Sequence, residues 1–145
     1  MIEADSGRLT RQDAPLLVAF MIAMAATLGA LFIGEVLGQM PCTLCWYQRI
    51  AMFPLTVILG VGLLRNDASV RAYALPLAFA GLAVAVWHSG LYAGLIPKAV
   101  APCTENGPSC TDAGMVILGM PIPYLSLLSF AGIILSLLAM KGTRR

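Results

Sequence analysis

Charged side chains are scarce in this sequence. Nine Lys or Arg and seven Asp or Glu residues make up 11% of the 145-residue chain, whereas about 25% is usual in soluble domains. Because a small chain has much surface for its volume, so few charges could not cover a water-facing surface. The 59% hydrophobic content argues against a disordered chain. A net charge of +2 gives no large basic field, so no nucleic-acid partner is expected.

The sequence also lacks internal repeats, low-complexity tracts and long polar linkers. It contains instead four apolar segments, each near the length of about 20 residues that spans a bilayer. These predicted spans are residues 14–37, 44–64, 73–95 and 123–140. Acidic residues beside the basic ones ahead of the first segment favour a retained span over a cleaved signal peptide. The sequence therefore predicts an all-α, polytopic membrane protein, an antiparallel four-transmembrane-helix bundle that forms a single domain over residues 1–145.

Basic residues are distributed unevenly around the predicted spans. Seven of the nine lie on one side: Arg8, Arg11, Arg65, Arg71, Lys141, Arg144 and Arg145. The other side has only Lys98, and Arg49 falls within the second span. Because cytoplasmic loops of membrane proteins are enriched in Lys and Arg, both termini are predicted to be cytoplasmic.

The orientation predicts that all four cysteines face away from the cytoplasm, where disulfides form and persist. Cys103 and Cys110 share the second outer loop, and a structural disulfide would account for that pair. The Cys42-x-x-Cys45 pair would close too small a loop to stabilise the chain much. Its spacing is typical of reactive dithiols, and the start of a helix at Cys42 favours a thiolate there. The six residues between Cys103 and Cys110 disfavour a tetrathiolate zinc site. A redox pair is therefore favoured over a structural or metal-binding one.

Polar side chains inside the spans are the other candidate functional groups. Arg49 follows Cys42 and Cys45 at a spacing that places all three on one helix face, with Arg49 about 6 Å deeper than Cys45. A charge at such depth marks a functional site unless it snorkels to the headgroups. His88, the only histidine, is predicted at a similar depth, where it could contact a ligand or simply pack against a neighbouring helix. Gln48 could likewise contact a ligand or pack against a neighbouring helix.

These groups together suggest a particular chemistry. A dithiol that accepts two electrons needs an acceptor that removes them, and a quinone is the natural lipid-soluble carrier of two electrons. A buried cation such as Arg49 could stabilise the developing quinol anion or a thiolate at Cys45. The second cysteine pair, in its loop, could exchange disulfides with a soluble dithiol protein through mixed disulfides.

The residues that carry these predictions resemble the DsbB family of disulfide bond formation proteins, and in particular its BdbC-like members. The similarity covers nearly the whole chain. Its specific motifs are residues 41–50 (PCTLCWYQRI), 87–91 (WHSGL), 101–103 (APC), 108–110 (PSC) and 121–123 (PIP).

The resemblance implies an enzyme, a membrane protein-dithiol:quinone oxidoreductase that generates disulfides. Its implied partners are a DsbA-like thioredoxin-fold protein, which it reoxidises, the membrane lipid, and the respiratory quinone pool of ubiquinone or menaquinone. The implied location is the bacterial cytoplasmic (inner) membrane, with the redox cysteines facing the periplasm or cell exterior. Such an enzyme would support disulfide bond formation in extracytoplasmic proteins.

The resemblance also implies a role for each motif residue. Cys103 would form the mixed disulfide with the partner, and Cys110 would be its mate. Cys42 would exchange with the loop pair, while Cys45 would face the quinone with the help of Arg49. The other predicted quinone contacts are Gln48 and His88.

Three points stay open from the sequence. The gap between Cys103 and Cys110 is tighter than in better-known family members, so the order of electron transfer and any Cys42–Cys110 bridge are undecided. The apolar residues 115–118 are a candidate membrane-surface segment. The competing interpretations are a vitamin K epoxide reductase-type enzyme, disfavoured because its Cys-x-x-Cys follows its loop cysteines, and a non-catalytic membrane protein with two static disulfides.

Overall fold

Four long apolar helices dominate the computed structural model, which describes residues 14–98, 107, 109–111 and 116–140. Helix α1 covers Ala14–Leu31, α2 covers Thr43–Arg65, α3 covers Val70–Tyr92 and α4 covers Ile122–Ala139. A π-helical segment, Phe32–Val36, extends α1. When this extension is included, each of the four helices is long and apolar enough to cross a membrane. The prediction of an all-helical protein with four such helices is confirmed.

Two short elements were not predicted. The first is the π-helical segment itself, because the sequence predicted one uninterrupted helix over residues 14–37. The second is a hairpin of two-residue strands, β1 (Val116–Ile117) and β2 (Met120–Pro121), just before α4. The backbones of Leu118 and Gly119 turn between the strands at positive φ. The apolar segment 115–118 thus supplies one strand of a hairpin, although its first residue lies outside the described part of the chain.

Neighbouring helices in the bundle run in opposite directions. Helix α1 packs against α2 and α4, and α3 packs against the same two helices. Near the end of α3, the Ser89 hydroxyl donates to the backbone oxygen of Pro123 at the start of α4, at 3.2 Å. Near the start of α3, Arg71 Nη1 donates to the backbone oxygen of Met140 just after α4, at 3.0 Å. The link between α1 and α2 and the segment before α4 therefore lie at the same end of the bundle.

Small residues let the helices approach closely in the core, as is usual where lipid provides no hydrophobic driving force between helices. Five fully buried alanines, two on α1 and three on α3, share the core with larger side chains on α2 and α4: Ala19, Ala23, Ala74, Ala78, Ala85, Leu55, Leu59 and Phe130. The closest fit is between α3 and α4, where the Phe130 ring occupies the space in which a Gly81 side chain would lie. Gly81 is therefore required for the contact between these two helices.

We predict that Gly81→Ala destabilises the bundle by about 1–3 kcal/mol, the usual cost of adding volume to a packed core. The measurement is the thermal unfolding midpoint of the purified protein in detergent. Gly29→Ala on α1 is the matched control, since a Cβ there meets no heavy atom within 4 Å and alanine favours a helix. Equal unfolding midpoints for the two variants would contradict this account of the contact.

Candidate functional site

Cys42 is the N-cap of α2 and caps the helix with its sulfur. Its backbone is extended, with φ −69° and ψ 167°, and its Sγ accepts a hydrogen bond from the Cys45 N–H at 3.3 Å. The first free N–H groups and the dipole of a helix favour negative charge at this position. Because an N-cap residue lies outside helical geometry, helical spacing does not fix the direction of the Cys42 side chain, although its sulfur lies next to that of Cys45. Its side chain points towards α3.

Cys42 and Cys45 are free thiols whose sulfur atoms lie 2.8 Å apart. Cys42 is fully buried, whereas Cys45 is partly exposed. The hydrogen bond from the Cys45 thiol, supported by His88 and by the Cys45 N–H, lowers the pKa of Cys42 to about 5 against the opposing effect of burial. Cys42 precedes the membrane-spanning part of α2, and it has the thiolate character expected of a reactive cysteine.

His88 lies between Cys42 and the second outer loop, completely buried. Its Nε2 is 3.1 Å from the backbone oxygen of Cys110 and 3.9 Å from Cys42 Sγ, and its Nδ1 is 3.2 Å from Gln48 Nε2. Since a carbonyl oxygen can only accept, the proton must be on Nε2. In the neutral ring this leaves Nδ1 to accept from the Gln48 amide. Its environment thus fixes the tautomer of His88.

Gln48 connects this imidazole to α4. Its side chain is buried, and its Oε1 accepts a hydrogen bond from the Ser126 hydroxyl at 2.7 Å. The chain Ser126–Gln48–His88 therefore joins three helices and ends at Cys42 and at the Cys110 carbonyl. Among the described residues, every buried side-chain polar atom has a hydrogen-bond partner, as an apolar surrounding requires.

Cys110 lies beside Cys42, although the two are far apart in sequence. It is nearly fully buried, it is disulfide-bonded, and it packs with Cys42, Leu44 and Leu91 in one buried cluster. Cys103, the other predicted loop cysteine, lies outside the described residues. The structure therefore brings three of the four predicted catalytic residues to one end of the bundle.

A cavity of about 500 Å³ opens next to Cys45, between α1, α2, α4 and the hairpin. Its walls are mostly apolar, with a few polar side chains among them, as is typical of small-molecule sites. The polar lining residues are Gln39, Cys45, Gln48, Arg49, Ser126 and Ser129. Two predicted quinone contacts, Arg49 and Gln48, line this cavity. The third, His88, is not among its lining residues and instead contacts the dithiol.

Arg49 is held at the cavity wall by α1. Its Nη2 donates to the backbone oxygen of Ala30 at 2.8 Å, and its guanidinium carbon lies 5.8 Å from the centre of the Trp46 ring. A Cβ atom on Gly34 would lie 3.2 Å from Arg49 Nη1, so this glycine leaves room for the guanidinium. The contact is made where α1 changes to the π-helical segment, and such π-turns are frequent at functional sites. Glu35, within the π-helical segment, is exposed.

Sequence reasoning missed Ser126 and the Ala30 carbonyl. Ser126 had a usable signal, because a polar side chain in an apolar span is expected to find a partner. The Ala30 carbonyl had none, since a backbone acceptor is revealed only by the tertiary structure.

Comparison with known proteins shows which family the chain resembles. The family model described as disulfide bond formation protein DsbB matches residues 12–140. A probable disulfide formation protein of Metapseudomonas resinovorans is 53% identical over 131 residues, which cover 90% of each chain. Disulfide bond formation protein C of Bacillus subtilis is 34% identical over 132 residues, covering 89% of this chain and 94% of that protein. No solved structure matches the chain. The resemblance carried by the cysteine motifs is thus confirmed, and the chain belongs to the DsbB family of disulfide bond formation proteins.

Proposed function

We propose that this protein is a membrane dithiol:quinone oxidoreductase that reoxidises a DsbA-like thioredoxin-fold protein. Membership of the family implies disulfide oxidation at a membrane, and the four apolar helices fit a multi-pass membrane protein. The observation that carries the finer proposal is the position of the free dithiol. Cys42 lies against Cys110, and Cys45 lies at the wall of the cavity.

The placement of Cys42 beside the loop cysteine and of Cys45 beside the cavity suggests how the two cysteine pairs exchange electrons. We assign Cys103 as the disulfide partner of Cys110, since the other two cysteines are free thiols. A reduced DsbA-like protein would attack the loop disulfide at Cys103 and leave oxidised, with two electrons transferred to the loop pair. A loop thiolate would then attack Cys42 of a Cys42–Cys45 disulfide, and Cys45 would leave as a thiolate. The other loop thiolate would attack this mixed disulfide, which restores the loop disulfide and releases Cys42 as a thiolate. The arrangement of one loop disulfide and one free dithiol corresponds to the state after this exchange.

The cavity has the donors and the shape that a quinone needs. A quinone headgroup offers two carbonyl oxygens, and its tail requires an apolar channel. Arg49 supplies N–H donors one helical turn from Cys45, while the rest of the lining is mostly apolar. A bound ubiquinone or menaquinone would accept the two electrons and two protons of the dithiol. Arg49 would hold the headgroup and stabilise negative charge beside it.

The orientation in the membrane follows from the basic residues. Arg65, at the end of α2, and Arg71, at the start of α3, lie at the bundle end opposite to Cys42 and Cys45. The rule that cytoplasmic loops are basic assigns that end to the cytoplasm. We therefore propose a bacterial cytoplasmic (inner) membrane protein with cytoplasmic termini, whose cysteines face the periplasm or cell exterior. The remaining basic residues used in that prediction lie outside the described part of the chain, except Lys98.

A turnover assay tests the relay. Purified protein, a reduced DsbA-like oxidase and a soluble quinone should consume quinone and oxidise the dithiol in equal amounts. Cys45→Ser should abolish turnover, because the remaining thiols cannot form the pair at the cavity. Leu64→Ala, at an exposed position at the opposite end, should keep full turnover as a control. Quinone consumption that persists in Cys45→Ser would refute the relay.

Arg49→Gln should raise the KM for quinone about 10–100-fold, the equivalent of losing a hydrogen bond from a charged group. Disulfide exchange between the protein and its reduced partner, measured in a single turnover without quinone, should be unchanged. Arg65→Gln serves as the matched control because it removes the same charge at the other end of the bundle. An unchanged KM in Arg49→Gln would leave Arg49 as an anchor to the membrane surface.

The thiolate of Cys42 can be titrated directly. In the reduced protein, absorbance at 240 nm should rise by one thiolate as the pH increases through about 5, the pKa to which its hydrogen bonds lower this cysteine. The nucleophile should therefore stay available well below the usual thiol pKa of about 8.5 and be lost only in more acidic solution. His88→Phe should move the midpoint upward. A midpoint near 8.5 in the unmodified protein would contradict the stabilisation described.

A further inference from the structure

We propose that the reduced dithiol and His88 together form a binding site for a thiophilic divalent cation such as Zn²⁺. The two sulfur atoms and a ring nitrogen of His88 all lie within 4.8 Å of one another. Two thiolates and one imidazole are a ligand set that zinc prefers, and a Cys-x-x-Cys pair is a usual source of two of them. The four-cysteine zinc site considered from the sequence is a different site. Here the third ligand comes from α3, 46 residues after Cys42.

The present distances are close to those of a loaded site. Zinc–sulfur bonds of about 2.3 Å and a zinc–nitrogen bond of about 2.0 Å place tetrahedral ligand atoms roughly 3.5–3.8 Å apart. Cys42 Sγ is already 3.9 Å from His88 Nε2. The two sulfurs, now 2.8 Å apart, would separate by about 1 Å. The cavity beside Cys45 gives a cation a route of entry and leaves a fourth position for water.

The surroundings of His88 can support a metal ligand as well as a hydrogen bond. Binding requires the Nε2 lone pair, so the ring proton must move to Nδ1. A half-turn of the Gln48 amide would direct Oε1 at this proton and direct the NH₂ group at the Ser126 hydroxyl, which can accept. A ring N–H held by an acceptor is the usual companion of a metal-bound histidine. Gln48 can therefore serve both states of the ring, while the backbone oxygen of Cys110 would give up its hydrogen bond from Nε2 when a metal binds.

The site exists in only one redox state of the protein. A Cys42–Cys45 disulfide has no thiolate to offer, whereas the reduced pair offers two and releases its remaining thiol protons to solvent on binding. A bound cation would occupy both sulfurs and so prevent reoxidation of the dithiol. This consequence for activity, unlike the binding itself, rests on the proposed function. The cation would act as an inhibitor that traps the reduced enzyme.

The test uses Co²⁺ alone as the probe, because thiolate ligands give it charge-transfer bands and tetrahedral sites give it strong visible bands. The full chain carries Cys103→Ser and Cys110→Ser, so the dithiol supplies the only thiols, and it is studied in detergent after reduction. We expect one equivalent of Co²⁺ to bind, with both sets of bands, and Zn²⁺ to displace it. The same protein oxidised to the Cys42–Cys45 disulfide should give neither set.

Variants separate this site from chelation by the dithiol alone. His88→Ala should weaken Co²⁺ binding at least tenfold and change the visible bands. Gln48→Leu, which keeps all three ligands, should weaken binding about tenfold, the lower end of the effect of losing a group that orients a metal ligand. Gln48→Glu, which can still accept from Nδ1–H, should retain binding. Equal affinity in His88→Ala and the parent, binding to the oxidised protein, or no stoichiometric binding would each overturn the proposal.

The outcome is independent of the test of the proposed function. Cobalt binding with these properties would support the metal site even if no quinone turnover were found. Turnover with quinone in a protein whose reduced form binds no Co²⁺ would overturn the metal site and leave the oxidoreductase intact. If both hold, Zn²⁺ should inhibit turnover of the unmodified enzyme, and a chelator should restore it.

Discussion

The buried imidazole of His88 is the contact on which the arrangement of the cysteines depends. An unpaired polar atom in an apolar bundle costs several kcal/mol, so both ring nitrogens must have partners. The backbone oxygen of Cys110 can only accept, and this fixes the proton on Nε2. The same N–H group faces Cys42 Sγ. Because the His88 ring needs hydrogen-bond partners, it holds the second outer loop against the dithiol and favours a thiolate at Cys42.

The different surroundings of the two dithiol cysteines follow from the way α2 begins. Cys42 is the N-cap, so its side chain leaves the helix surface and packs with Cys110. Cys45 stands in the first helical turn and faces the cavity. A two-residue spacer at a helix start therefore gives one sulfur to the loop and the other to the cavity while keeping them 2.8 Å apart. The proposed relay requires one sulfur to contact the loop and the other to contact the cavity.

Features that depend on local composition were predictable from the sequence, and those that depend on tertiary contacts were not. The four helices could be predicted because the length of a membrane span is set by the bilayer. The positions of Gln48 and Arg49 beside Cys45 could be predicted because helix geometry is regular. The regularity fails at Cys42, where the helix has not begun. The neighbours of His88 come from 40 residues before it and 22 residues after it, and no local pattern encodes such pairs. The hairpin could not be predicted either, because its turn places Leu118 at positive φ, a conformation that such a residue disfavours.

Two adjacent residues of α2 place the cavity where it can serve the dithiol. Arg49 is bound to the Ala30 carbonyl of α1, whereas Gln48 is bound to Ser126 of α4 and His88 of α3. Because consecutive residues on a helix point about 100° apart, these two side chains reach different neighbours from one point on α2. The cavity is the space between these neighbouring helices, and Cys45 lies one helical turn before Arg49 on α2. A change in the contacts of Gln48 would therefore alter the cavity and the dithiol together, since His88 and Gln48 belong to one hydrogen-bonded chain. The polar side chains of the site, which come from α2, α3 and α4, therefore meet at the end of the bundle that holds the dithiol.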